Sequence, residues 1–475
     1  MGEEDFSTSQ RDQLKFSCDT LALDTVIAGE ATNTYTFQVY NPNDKALRIS
    51  DVRLGRVAES PFIVNVDGTW LKGGVSDIDF TLSAHDSLRV FVQLTAPTTD
   101  ADEPQNLEDN LQFTLESGSV QRVVFTASSQ DVTIIRGMTI TEDEIFAARR
   151  PYQIYDSLVV AEGASLTLKA GTRLYFHPGA SLIVHGKLIA AGELGNPVVF
   201  RGDRLGNMFD GQPYDRVPGQ WGGITFTKNS TGNDMTWCDI HSGAYGIRCD
   251  STEAKEQKLI IDNSIIHNVS SDAFYAKMCN TFVGNCQITN AGGNCVNIYG
   301  GDHTFVHCTI GQFYSFIGGH GVALQFTNTE YDSPLPLDRL LFVNCLISGY
   351  NDDDIMGSAS ERFPDCPFSF AFKNCLLNTP KITDNPAIED CLFEDKKDYD
   401  YEALNDSTKR AGNFYPEFDL HQLVFPFTLN PKSRAVDAGD ASLTFQSGYV
   451  TDLLGHSRMA DKKPDIGAYE AIKED

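Results

Sequence analysis

The sequence predicts an all-β protein in two folded parts, a β-sandwich followed by a right-handed parallel β-helix that ends in an irregular cap. Three observations carry this reading. Short alternating strands fill the first quarter of the chain, Gly163-Ala164-Ser165-Leu166 returns as Gly179-Ala180-Ser181-Leu182, and a Cys/Ser position recurs near every 22 residues further on.

At 475 residues the chain exceeds one ordinary core, and 41% hydrophobic content supports globular structure. There are 37 Lys+Arg against 65 Asp+Glu, a formal net charge of −28. That balance repels nucleic acid and anionic membrane surfaces and disfavours polyanionic glycans, so a neutral polysaccharide or a surface protein is the expected partner. No apolar run approaches the roughly 18 residues of a membrane helix, so no transmembrane segment is expected.

Residues 1–14 are polar and acidic and are expected to form a flexible tether. No signal peptide is read, and Met1-Gly2 reads as the start of a trimmed mature chain. The run Glu3-Glu4-Asp5 resembles the export signal that follows the lipidated N-terminus of Bacteroidetes surface lipoproteins, although the anchoring cysteine is not in the sequence. The resemblance implies an extracellular, outer-membrane-surface setting, with a lipid anchor in the full-length precursor.

Residues 15–130 read as strands at Thr34–Tyr40, Leu47–Val52, Phe62–Val66, Ile78–Leu82, Leu88–Leu94, Leu111–Leu115 and Gln121–Thr126. The first stops at Asn41-Pro42-Asn43. This is the strand density of an immunoglobulin-like sandwich. The early "LxLxxVxxGE", the strand ending in "NP", the "LxIxxV" strand and the late "SxxVxF" resemble Ig-like modules of the abnormal-spindle and hydin type. Such modules bind or space.

Residues 131–157 read as a junction and N-terminal cap of the solenoid. Thr141 with Glu144 forms a capping box over Ile145-Phe146, with Pro151 to end the helix. A short strand is the alternative.

The β-helix is placed at 158–400. Leu166–Leu168, Arg173–Phe176, Leu182–Val184, Lys187–Ile189 and Val198–Phe200 are too short and too often broken by Gly, Pro or Asn for a sandwich. With Gly219–Phe226 they closely resemble the first coils of secreted bacterial parallel β-helix proteins, the pectin-lyase-like fold. The ladder Cys238, Ser264, Cys286, Cys308, Cys345, Cys375, Cys391 advances in steps of 26, 22, 22, 37, 30 and 16 residues. Each member stands two residues before an apolar one, which makes it a column of small buried side chains. Ten of the 11 cysteines lie between Cys238 and Cys391, and no CxxC pair or zinc-spaced Cys/His cluster occurs, so no metal site is expected. A second strand repeats in phase and puts Ile247, Phe274, Val296 and Val322 inward, followed by Cys249, Ala276, Ile298 and Leu324.

Residues 401–475 read as a terminal coil and cap. Ser433-Arg434-Ala435-Val436-Asp437-Ala438-Gly439-Asp440, Asp452-Leu453-Leu454-Gly455 with Arg458, and Asp465-Ile466-Gly467-Ala468-Tyr469-Glu470 look like the ending of bacterial β-helix proteins grouped as choice-of-anchor Q. The resemblance implies a cell-surface setting and a shared cap, not one activity. Asp437, Asp440, Asp452, Arg458 and Asp465 are expected to interlock as caps and ion pairs, with a Ca²⁺ site from the same carboxylates as the alternative. No other cofactor is expected.

Outward positions of the second strand give one line of Arg248, Tyr275 and Asn297 and another of Asp250, Lys277, Tyr299 and Gln325. Tyrosines offer stacking surfaces for sugar rings, and the polar groups meet hydroxyls. The expected function is a non-catalytic surface protein that presents this strip to a glycan or a protein. The alternative is a polysaccharide lyase or glycoside hydrolase on the same face, with Lys277, Tyr299 or His320 as base and Asp250 or Asp272 as cation ligand or paired carboxylates. His320 is placed in register with Asp272 and Asn294, and His303 at the start of a coil. The excursions Phe313–Asp338 and Tyr350–Pro367, with Asp352-Asp353-Asp354, are the long loops on which function concentrates.

Overall fold

The computed structural model describes residues 6–209, 211–252, 256–395, 412–461 and 463–472. The chain divides into two compact units, Met1–Val132 and Thr133–Asp475.

The first unit is a sandwich of two five-stranded sheets. One orders Lys15–Phe16, Tyr35–Tyr40, Ser87–Leu94, Phe62–Val66 and Thr69–Trp70; the other orders Thr20–Ile27, Val120–Gln130, Gln105–Leu115, Leu47–Leu54 and Phe80–Leu82. Period-2 alternation aims Phe37, Val39, Val64, Val90 and Val92 of one sheet at Val52, Phe113, Val123 and Phe125 of the other. Asn41 stops its strand for a physical reason. It is buried, and its Nδ2 donates to the carbonyls of Lys45, Leu82 and Ser83 at 2.9–3.0 Å. Residues 1–5 of the expected tether lie outside the described residues, and the rest of it is not free. Phe6 bridges to Ala46, and Leu14 is buried with its N–H donating to Gln121 Oε1 at 2.8 Å. Apolar residues in that polar segment bind it to the sandwich.

The second unit is a parallel β-helix with three strands per full coil. Its first coil begins at Thr133, ahead of the sequence boundary. Thr133–Ile140 pairs in parallel with Tyr152–Val160, and Glu144–Phe146 is a strand beside Ser165–Lys169, so the helical alternative for the junction is not adopted. Ile140, Phe146, Ile154 and Leu158 all join the core, and pairing satisfies backbone groups that a lone helical turn would leave open.

Three ladders run up the coils. The first carries Cys238–His241, Ile265–Val269, Gln287–Ala291, Thr309–Gln312, Leu346–Gly349 and Leu376–Leu377. The second carries Ile247–Cys249, Phe274–Lys277, Val296–Tyr299, Leu324–Thr327 and Ile355–Ser358. The third is a ten-stranded sheet from Glu144–Phe146 to Ile388–Glu389. Phe305, Phe342 and Phe372 stack along it inside the coil, with centroids 4.7 and 5.1 Å apart.

The cysteine column forms as its spacing implies, with every cysteine unpaired. Sulfurs along the column also accept an N–H from the preceding coil, as Cys345 Sγ does from Cys308 and Cys375 Sγ from Cys345, both at 3.4 Å. The residue before each column member turns the corner with positive φ, near +50° at Asn263, Asn285, Asn344 and Asn374. Asparagine tolerates that region better than most residues. Asn285 Nδ2 donates to Asn263 Oδ1 at 2.7 Å, joining one corner to the next.

The described part of the C-terminal segment lies back along the outer face of the first ladder, where Phe427, Ala435, Ile466, Ala468 and Tyr469 cluster with Phe313, Leu346 and Leu376. Those ladder residues face outward and apolar, so the face needs a cover. Gly467, at φ +109°, sits where a Cβ would come within 2.8 Å of Thr309 Oγ1. Residues 396–400 of the expected β-helix, and 401–411, 462 and 473–475 of the expected coil and cap, lie outside the described residues.

Candidate functional site

The strip on the second ladder is present, with one change of register. Arg248, Tyr275, Asn297 and Gln325 are successive partners, while Lys277, Tyr299 and Thr327 form the neighbouring column. Gln325 therefore belongs with Asn297 and not with Tyr299. The strand after the 313–323 excursion is displaced by two residues, so Leu324, not Val322, opposes Val296. The Val322 N–H is taken instead by Asn294 Oδ1 at 2.9 Å.

Arg248 Nε donates to Asp250 Oδ1 at 3.2 Å, and its guanidinium carbon lies 5.2 Å from the Tyr275 centroid. The Tyr275 and Tyr299 rings are 5.6 Å apart, tilted by 41°. Lys277 Nζ ion-pairs with Glu330, which the hairpin of Thr329–Glu330 and Ser333–Pro334 brings over the strip. Partial burial and the Glu330 charge push the Tyr275 phenol up to about 12, and burial with Asp272 raises Tyr299 as well. Both phenols therefore stay protonated at neutral pH.

Of the groups expected for a lyase or hydrolase, Lys277 pairs in register with Tyr299, and Asp272 is near enough to raise the Tyr299 phenol. Asp272 holds the Asn294 N–H at 2.7 Å and Asn297 Nδ2 at 2.8 Å, so it positions a corner. His320 lies in the excursion, two residues short of the expected register, with Nδ1 on the Gly321 carbonyl. His303 points into the core of the third ladder and bridges Thr281 Oγ1 and the Gly300 carbonyl, both at 2.8 Å. Burial depresses it to about 4. Within the acidic run, Asp354 is buried and accepts from Asn351 and Asn378.

The C-terminal carboxylates act mainly as caps. Asp440 accepts the Leu443 N–H at the start of the helix Ala441–Ser447. Asp452 accepts from the amides of Leu454, His456 and Glu470, and Asp465 from those of Asp437 and Ala471. Buried Arg458 pairs with Glu470 at 2.7 Å and with Asn285 Oδ1 at 2.6 Å, a partner set the motif did not reveal. These carboxylates hold amides where a calcium cage would present oxygens to one point.

A second cluster lies on the first ladder, where no metal ligands were expected. His241 Nδ1 is 2.8 Å from Asp239 Oδ1, and His267 Nε2 is 3.2 Å from the same oxygen. His241 Nε2 meets Asp215 Oδ1 at 2.7 Å, and Arg201 meets that oxygen at 2.9 Å. Burial pulls the His241 imidazole down, but the Asp239 charge and the bonds to Asp215 and Asp239 outweigh it and raise it to about 10. Burial pushes Asp239 up, but the charges of and bonds from His241 and His267 hold it below the usual carboxylate range. The signal was in the sequence. His241 and His267 stand 26 residues apart, the same step as Cys238 to Ser264, three positions along the same strands.

The protein is an all-β chain, an Ig-like sandwich with a parallel β-helix. No family model matches it, and no curated protein matches its sequence. Among solved structures, the ASH/PapD-like domain of human CEP192 (PapD-like domain 7) aligns at 12% identity over 28% of this chain and 93% of that one, with a TM-score of 0.18. The E. coli chaperone DraB aligns at 11% over 24% of this chain and 54% of its own, TM-score 0.17. A family 123 glycoside hydrolase from Clostridium perfringens aligns at 8% over 27% of this chain and 26% of its own, TM-score 0.18. The alignments thus span about half of DraB and a quarter of the hydrolase. No helix among the described residues is long and apolar enough to cross a membrane.

Proposed function

We propose that this is an extracellular, surface-attached protein whose β-helix presents the second-ladder strip to a neutral polysaccharide, without catalysis. The observation that carries the reading is the tilted Tyr275–Tyr299 pair, flanked by Arg248 with Asp250 and by Lys277 with Glu330. Partly exposed rings on adjacent coils of a rigid ladder make a stacking platform for successive sugars, and Asn297 and Gln325 extend the strip in polar character. The strip's charges are internally paired and the chain is strongly acidic, which favours an uncharged ligand. The groups needed for a base or a carboxylate pair are tied to separate partners, which supports binding over cleavage. The C-terminal string's resemblance to bacterial surface proteins supports the extracellular setting.

The test is a glycan-array screen of the purified chain, with and without calcium, that reads product release alongside binding. Binding without release, lost in Tyr275→Ala and Tyr299→Ala, supports the proposal. Release that disappears in Lys277→Ala or His320→Ala overturns it in favour of an enzyme. Silence throughout overturns it in favour of a protein partner or a spacer.

A further inference from the structure

We infer that Asp239, His241 and His267 form a binding site for one divalent transition-metal ion of the zinc class, held by two imidazoles and one carboxylate with the remaining positions open. The three donor atoms lie within 4.8 Å of one another. Two of the separations are more telling, because Asp239 Oδ1 is 2.8 Å from His241 Nδ1 and 3.2 Å from His267 Nε2. Metal bonds of about 2.0–2.1 Å at angles of about 90–110° end roughly 2.9–3.4 Å apart. Two of the three donor separations are thus close to those of a bound cation, and the third, between the His241 and His267 nitrogens, lies within 4.8 Å.

The surroundings of His241 are those of a metal-bound histidine. With Nδ1 turned to the site, Nε2–H donates to Asp215, and the Arg201 guanidinium fixes that carboxylate in turn. A ligating histidine commonly donates its other N–H to a carboxylate, which sets its tautomer and raises its basicity. The frame is rigid, since Asp239 pairs in register with Ile265, and His241 with His267, on adjacent strands. A plain ion-pair network accounts for His241 between two carboxylates. It also admits His267 as a second donor to the same oxygen, and metal uptake separates the two accounts.

The ion has a way in. The side chains of Asp239 and His267 are 32% and 24% exposed, while that of His241 is 7% exposed. Nearby backbone forms a rim, with Gln212 and Arg216 donating to the carbonyls of His421 and Gln422 at 2.7 and 2.8 Å. Two imidazoles with one carboxylate suit zinc and its neighbours better than calcium or magnesium, which prefer all-oxygen shells. On binding, the proton on His241 Nδ1 leaves to solvent, the one on His267 Nε2 leaves or moves to Nδ1 of the same ring, and the metal takes their place beside Asp239. The sheet position of this cluster is separate from the tyrosine strip, so the inference does not rest on the glycan reading.

The experiment titrates Co²⁺ and Zn²⁺ into the chelator-treated full chain, reading calorimetric stoichiometry and the visible absorption of the cobalt form. One equivalent is expected to bind. His267→Ala and Asp239→Asn should abolish binding, and Asp215→Asn should weaken it by roughly 10–100-fold. Far-UV circular dichroism in chelator checks that each variant is folded, and His267→Gln keeps the test available if a variant of Asp239 does not fold. Wild-type protein that takes up no stoichiometric metal, or a folded His267 variant that binds as well as wild type, overturns the inference.

Discussion

Tyr275 and Tyr299 occupy neighbouring columns of the second ladder on successive coils, and their rings approach to 5.6 Å while Arg248 covers the far side of Tyr275. Stacked coils hold this spacing without help from loops, so each ring can be removed without disturbing the core. Tyr275→Ala and Tyr299→Ala should each weaken binding of an array-selected neutral oligosaccharide about tenfold or more, about 1.4 kcal/mol, in a calorimetric titration. Thermal midpoints should stay close to wild type.

The cysteine column supports a chemical prediction. Burial raises the thiols of Cys238, Cys286, Cys295, Cys308, Cys345 and Cys375 far from reactivity. Under native conditions a thiol reagent should label at most Cys18, Cys366 and Cys391, the three that are partly exposed, and all 11 after denaturation. Cys286→Ser should be tolerated better than Cys286→Leu. Ser264 already occupies this column, and extra methylenes in a filled coil cost about 1–3 kcal/mol. Denaturant titration ranks the two.

Stability should fall on mild acidification through His303. Burial depresses its folded pKa to about 4, against roughly 6.5 in the unfolded chain. A histidine depressed in this way stabilises the fold above the unfolded pKa, and that contribution is lost as pH falls from about 6.5 towards 4. The expected loss at pH 5 relative to pH 7 is about 2 kcal/mol. His303→Leu should lower stability at pH 7 but flatten the decline. His307, buried and also depressed, should leave a residual slope.

Arg458 joins the C-terminal segment to the coils, reaching Glu470 on one side and Asn285 on the other. Arg458→Met should destabilise the β-helix unit by about 1.5–3 kcal/mol, because Asn285 Oδ1 and Glu470 lose their buried donor, while burial, which already raises the Glu470 carboxyl to about 8, lets it stay protonated. Replacing Arg458 and Glu470 together by Met and Gln should recover part of that loss. Chemical denaturation of the two variants makes the comparison.

Much of this architecture was legible because its constraints are local and repeat. A small residue must fill the first ladder's inner column, an asparagine suits the positive-φ corner before it, and an apolar residue follows two places on. That pattern places Cys286, Cys308 and Cys345 without knowledge of any partner. The register of Gln325 was not legible, because the 313–323 excursion shifts the next strand by two residues and no spacing rule fixes a shift inside an insertion. Glu330 was hidden for a similar reason, since only the fold of its hairpin brings it to Lys277. His303 was placed at the start of a coil, but nothing in the spacing showed that it turns inside, where Thr281 and the Gly300 carbonyl satisfy it. The resemblance carried by the "DAGD" and "DIGAYE" strings implied a cap. That the segment covers the side of the first ladder follows from the outward apolar Leu346 and Leu376, a tertiary fact. The Asp239–His241–His267 cluster was accessible from the cysteine phase by extending the same alternation outward.

The most direct test of the binding account is a crystal structure of the chain with the neutral oligosaccharide selected on the array. The account expects sugar rings against Tyr275 and Tyr299, with hydroxyls reaching Arg248 or Gln325. An oligosaccharide seated elsewhere, with the strip left bare, would contradict it.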